Sequence, residues 1–223
     1  MNPTRRDFVQ NVAVGVAGLS GLRHFEFATA GTTGVAPQAG TTWDVSWTGR
    51  LKGKYKAVFD CVEPDSGYGA WRLAAWMGQV ADVMKVTPAD VSGALIFRHD
   101  AIALAMGAAF WQRYSVGRVA RVTHPLTGAP AEKNPVLLDE KDGIPAPFSE
   151  ASVPKLIKSG VVVLACNMAL RDMIGLVQSS DGVDETEARK RAIAAMIPGV
   201  ILQPSGVFAA TLAQQSGCSY VRS

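Results

Sequence analysis

"VVVLACNMALRDMIG", residues 161–175, decides the fold. An unbroken apolar run ends in Cys166 and Asn167 and turns at once into a stretch that reads as a helix. Runs of that kind mark strands buried on both faces, which occur in parallel sheets covered by helices. Working outward, the same alternation fills the chain from residue 54 to the end. "KYKAVFDCV" (54–62) reads as a first strand, bounded by Gly53 and "EPDSG". "YGAWRLAAWMGQVADVM" (68–84) reads as a helix with Trp71, Ala74, Met77, Ala81 and Met84 on one stripe and Asp65 or Ser66 as its cap. A second strand is expected at 93–100, a helix over 101–115, and a short helix over 152–160 before the strand at 161–166. A helix at 184–197, a strand at 199–206, a helix at 207–217 and a last strand at 218–222 complete the series. The expected fold is a three-layer α/β sandwich with about five mostly parallel strands.

The flanking segments differ in character. Residues 1–30 carry Arg5, Arg6 and Phe8, then a mildly apolar stretch, and "ATA" at 28–30. That pattern fits a twin-arginine export signal, so a periplasmic location is expected. Residues 31–53 are rich in Gly and Thr and read as an extended arm, pinned to the body by Trp43 and Trp47. Residues 117–150 form a proline-rich loop whose length marks it as functional or as a contact arm.

Composition excludes some function classes. The 223-residue chain has a net charge of +3, and loss of residues 1–30 would remove three arginines and two acids, leaving +2. No basic stripe with interleaved aromatics is present, so nucleic acid is not an expected partner. No segment reads as a stable membrane span. His24, His99 and His124 are scattered and no C-x-x-C occurs, so neither a metal site nor a cofactor is expected. Cys61, Cys166 and Cys218 are an odd set for an exported protein. They leave at least one free thiol, and whether Cys61 and Cys218 pair is open.

Chemistry in open parallel sheets gathers at the carboxyl ends of the strands. Cys166 ends one strand, His99 another, and "QPSG" (203–206) a third. A cysteine at a helix start faces unpaired backbone N–H groups, and its thiolate is the nucleophilic form. Asn167 and Arg171 come after it and join His99 as candidate pocket residues. The opposing possibility is a buried structural cysteine.

Three stretches carry a family resemblance. "VVVLACNMALRDMIG" (161–175), "ALIFRHDAIALAM" (94–106) and "PSGVFAATLAQQSGCSYVR" (204–222) together resemble the DsrE/DsrF-like family of sulfur-relay proteins. The resemblance implies that residues 54–223 form a DsrE-like domain assembling as trimers or hexamers. It also implies that Cys166 carries sulfane sulfur as a persulfide, with His99 beside it. Sulfur donors and acceptors would be other proteins or small thiols. Asp100 stands where the family has Gly, and export departs from the cytoplasmic relay members. The competing expectation is a non-catalytic binding or assembly module with the same fold and a buried Cys166.

Overall fold

The computed structural model describes residues 42–223. The export signal expected over residues 1–30 and the first part of the arm lie outside the described residues. Five strands form one sheet in the order β4-β3-β2-β1-β5, every neighbouring pair parallel. They are β1 (Tyr55–Cys61), β2 (Val91–Phe97), β3 (Val162–Cys166), β4 (Ile201–Gln203) and β5 (Ser219–Arg222). The connections carry helices α1 (Tyr68–Val83), α2 (Ala108–Tyr114), α3 (Val153–Lys158), α4 (Leu170–Asp181), α5 (Glu185–Ala194) and α6 (Gly206–Gln215), as parallel crossovers require.

Alternation along the strands splits the core in two. Phe59, Leu95, Phe97, Val163 and Ala165 face Leu73 of α1 and Leu170, Ile174 and Val177 of α4. Val58, Ala94, Ile96, Val162 and Leu164 face the opposite side, toward Ala209, Ala210 and Ala213 of α6 and toward Trp47. Sheet and helices on both faces make a three-layer α/β sandwich, as expected from the apolar runs. On this second side α6 meets the sheet through alanines, and Trp47 fills part of the same layer.

Several local expectations are corrected. The stretch 101–115 is not one helix: a 3-10 segment, His99–Ala105, is followed by an extended residue at Met106 and then by α2. Ala-rich sequence favours helix, but here Ile197 N–H donates to Ala105 O and Gly107 N–H to Ala195 O, which holds residues 105–107 open. Neither Asp65 nor Ser66 caps α1. Gly67 is the cap residue, and Asp65 itself pairs with Arg72 at 2.7 Å. Met84 is exposed, so the buried stripe of α1 runs through Ala70 and Leu73. The arm is pinned by fully buried Trp47, but Ser46–Arg50 form a 3-10 turn rather than extended chain. Cys61, Cys166 and Cys218 are all free thiols.

The loop at 117–150 is packed onto the body. Asn134 is fully buried and donates Nδ2 to Leu104 O at 2.9 Å and to Met106 O at 2.7 Å. Phe148 stacks on Trp71 with ring centroids 5.1 Å apart. Met106, Phe110 and Trp111 are buried within this one chain. An apolar face at those residues needing cover from another copy is therefore ruled out as a ground for oligomerisation. Among the described residues, no helix is long and apolar enough to cross a membrane, and no three His, Cys, Asp or Glu side chains cluster as metal ligands.

Candidate functional site

Parallel pairing brings the ends of β3 and β4 level, Cys166 beside Gln203, with β2 on the other side of β3. The chain leaves β3 by a tight turn, and Asn167 N–H donates to Gln203 O at 2.9 Å. That turn swings Ala169 back over the strand end, so that its N–H donates to Cys166 Sγ at 3.4 Å. By alternation Cys166 shares a face with Val162 and Leu164, the face on which α6 begins.

A cavity of about 270 Å³ opens there. Arg98, His99 and Asp100 line it from the end of β2, Cys166, Met168, Ala169, Arg171 and Asp172 from the turn into α4, and Ser205, Gly206 and Val207 from the start of α6. Cys166 itself is only 6% exposed. The other three expected site residues are treated differently by this geometry. His99 is in the cavity wall, with a left-handed backbone (φ 47°) that turns the chain out of β2. Arg171 is also in the wall, and its Nε donates to Met168 O at 3.2 Å. The hydrogen bond that reaches the sulfur in this geometry comes from the Ala169 backbone. Asn167 is not in the wall, because its Oδ1 accepts from Arg189 Nη2 at 2.6 Å.

Arg98 is the residue that sequence reasoning passed over. Its guanidinium grips the Asp60 carboxylate at the end of β1, Nε at 2.7 and 3.0 Å and Nη2 at 2.9 Å. Asp60 is 2% exposed and accepts a third donor, Tyr220 Oη, at 2.6 Å. The stem of Arg98 crosses the first residue of α6. A Cβ at position 206 would stand 2.5 Å from Arg98 Cδ, so glycine is required there by close approach. A charged residue closing the apolar run "GALIF" and an aspartate inside "VFDCV" were the available signals. A carboxylate buried in a strand needs a partner.

The fold and site define a parallel α/β domain with a cysteine-floored cavity at the carboxyl edge of its sheet. No family model matches the chain, and no curated protein matches its sequence. A solved structure of a protein of unknown function from Methanobacterium thermoautotrophicum is similar at 17% identity over 76% of this chain and 99% of that one, with a TM-score of 0.35. A likeness that loose decides nothing about fold or function.

Proposed function

We propose that the protein is an exported sulfur carrier in which Cys166 holds sulfane sulfur as a persulfide. The observation that supports it most is the Ala169 N–H donated to Cys166 Sγ at the floor of an open cavity. That N–H fixes the sulfur at the cavity floor, where an incoming donor can meet it, and thiolate is the attacking form of a cysteine. In the transfer, the Cys166 thiolate attacks the terminal sulfur of a donor R–S–SH. The donor S–S bond breaks, its electron pair leaves on R–S⁻, and Cys166–S–SH forms with the hydrogen kept on the moved sulfur. His99 and Arg171 flank the reacting sulfurs from the wall. Residues 1–30 act as the twin-arginine signal in this proposal, and replacing Arg5 and Arg6 with Lys leaves the precursor unexported. Assembly as trimers or hexamers rests on the family resemblance alone, and light scattering giving a monomer removes it.

The deciding experiment is intact-mass measurement after exposure to inorganic polysulfide. A one-sulfur adduct is expected on the parent protein, Cys61→Ser and Cys218→Ser, and none on Cys166→Ser. An adduct that survives Cys166→Ser overturns the proposal. A second function, a binding module with a structural Cys166, is favoured by its 6% exposure and by Met168 and Val207, which stand 58% and 65% exposed at the cavity mouth. Absence of any adduct selects that alternative.

A further inference from the structure

α6 distributes its residues against the usual order. Its buried positions are Gly206, Ala209, Ala210 and Ala213, so its smallest residues face the sheet. Its exposed positions, Val207, Phe208, Thr211, Gln214 and Gln215, recur at helical spacing and form one outer stripe. A helix that answers only to its own sheet buries its large apolar side chains and shows charge to water. Here Val207 and Phe208 remain 65% and 40% exposed. Thr211 adds little polarity, because its Oγ1 donates back to Val207 O at 2.9 Å. Charge separates α6 from the other helices. From Ala192 to Val221 the sequence holds no Asp, Glu, Lys, Arg or His, in a chain that is 18% charged. Each of α1 to α5 carries at least one charged side chain, and α6 carries none.

We propose that a second copy of this chain covers α6, the two helices packing face to face about a two-fold axis near Thr211. A two-fold contact sets the residues near its axis against themselves, so any charge there meets its own sign. A face without charge is the one that can lie against its copy. The same absence leaves no basic residue to draw an anionic membrane and no charge to match on an unlike protein. Val207, Thr211 and Gln215 form an i, i+4 ridge of the kind that interdigitates between crossing helices. An antiparallel crossing at Thr211 sets Val207 and Phe208 against Gln215 and Gln214 of the partner subunit. A 10-residue helix, about 15 Å long, cannot by itself fill the roughly 800 Å² per partner of a stable interface. The contact therefore takes in the exposed apolar neighbours of its first turn. These are Met168, which shares the cavity mouth with Val207, and Tyr220, bonded to the Asp60 carboxylate that Arg98 holds across Gly206. The Cys166 cavity then opens beside the second copy, whether or not the cysteine carries sulfur.

The test is the mass of the parent protein in solution, read by light scattering at micromolar concentration. A dimer is expected, or a hexamer containing the same two-fold contact. Phe208→Asp and Thr211→Arg each place a charge beside its own copy and should halve that mass. Both positions are exposed, and an unchanged far-ultraviolet circular dichroism spectrum shows that the variants keep the fold. Cross-linking reads the contact itself. In a Cys166→Ser background, Thr211→Cys should be joined to its copy by a short bismaleimide, and Gln79→Cys on the exposed side of α1 should not. A parent protein that is a monomer or a bare trimer overturns the proposal. So does a mass unmoved by both variants, or a Thr211→Cys chain that stays unlinked. A monomer that binds phosphatidylcholine vesicles, and no longer does so as Phe208→Asp, assigns the face to lipid and overturns it as well. Sulfur loading on Cys166 is not among these readouts, so their failure and that of the carrier proposal are separate results.

Discussion

Cys61 and Cys166 end two parallel strands at the same edge of the same sheet, but they point to opposite faces. Cys61 belongs to the core under α1. Gly69 of α1 lies directly on its sulfur, with no room for a Cβ between them, and burial pushes the thiol up to about 12. Cys166 lies on the α6 side, where the turn after β3 lays an N–H on the sulfur and α6 begins far enough away to leave a cavity. The same residue type at equivalent fold positions is sealed in one case and opened in the other by the next few residues. The turn and helix after a strand, and not the strand itself, decide whether its last side chain can do chemistry.

The largest expected effect breaks or upholds that contrast directly. At pH 7 on the order of 10⁻⁵ of Cys61 is thiolate, and the residue is 2% exposed. Peptide mapping of the native protein after brief iodoacetamide treatment should place the label on Cys166 and leave Cys61 essentially unlabelled. Denaturation first should remove the difference. Equal native labelling would mean that α1 does not seal its cysteine.

The two sites are joined through Asp60, the neighbour of Cys61 in β1 but directed to the other face. Its partner Arg98 is a wall of the Cys166 cavity and is only 19% exposed. Asp60→Ala leaves that half-buried guanidinium and the Tyr220 hydroxyl without their carboxylate and should cost about 2–3 kcal/mol, read from urea unfolding. Asp60→Asn keeps an oxygen acceptor and should cost less. In both variants, sulfur loading on Cys166 should slow while the Cys61 side remains unlabelled. A loss of protection at Cys61 would show that the two faces do not behave independently.

Most of this frame could be read from residues before any coordinates. The apolar runs ending at Cys61, Phe97 and Cys166 specify a covered parallel sheet, because each strand must bury both faces. Cys166, His99 and Arg171 reach one cavity because βα turns at neighbouring strand ends must converge. Asn167 does not, since its partner Arg189 is 22 residues away and no local pattern announces the pair. Asp60 and Arg98 each stand out as charges in apolar runs, but at 38 residues apart no local pattern says that they pair with each other. The break between the 3-10 segment and α2 depends on backbone bonds to residues near 195, which override the helix propensity of alanine.

A smaller effect tests how Cys61 is sealed. Gly69→Ala adds a methyl where the Cys61 sulfur already lies. Overpacking of this kind costs about 1–3 kcal/mol, and the higher helix propensity of alanine returns at most about 1 kcal/mol of it. Destabilisation should therefore win. In the Cys61→Ala background the sulfur is gone, and the same substitution should become neutral or stabilising. The double-mutant cycle measures that coupling, and additive effects would show that Gly69 is not what closes the site.

The smallest expected effect concerns alkaline pH. Below about pH 9 the Cys61 thiol is neutral in both folded and unfolded chains, and its protection contributes fully to stability. Above 9 the unfolded chain releases the proton first, because the folded thiol holds it until about 12. Unfolding then draws on a more favourable end state, so stability falls as pH rises from 9 toward 12, by about 1 kcal/mol at pH 10. Tyr220 titrates upward too, raised chiefly by its hydrogen bond to the Asp60 carboxylate, so the raw pH curve mixes both groups. The informative quantity is the difference between the parent protein and Cys61→Ala, in which Tyr220 cancels. Urea midpoints for the two should run parallel from pH 7 to 8.5 and converge or cross as the pH approaches 10. Parallel curves through pH 10.5 would mean that the folded chain lets Cys61 ionise as readily as the unfolded one, and the sealed site would then be no more closed than the open one.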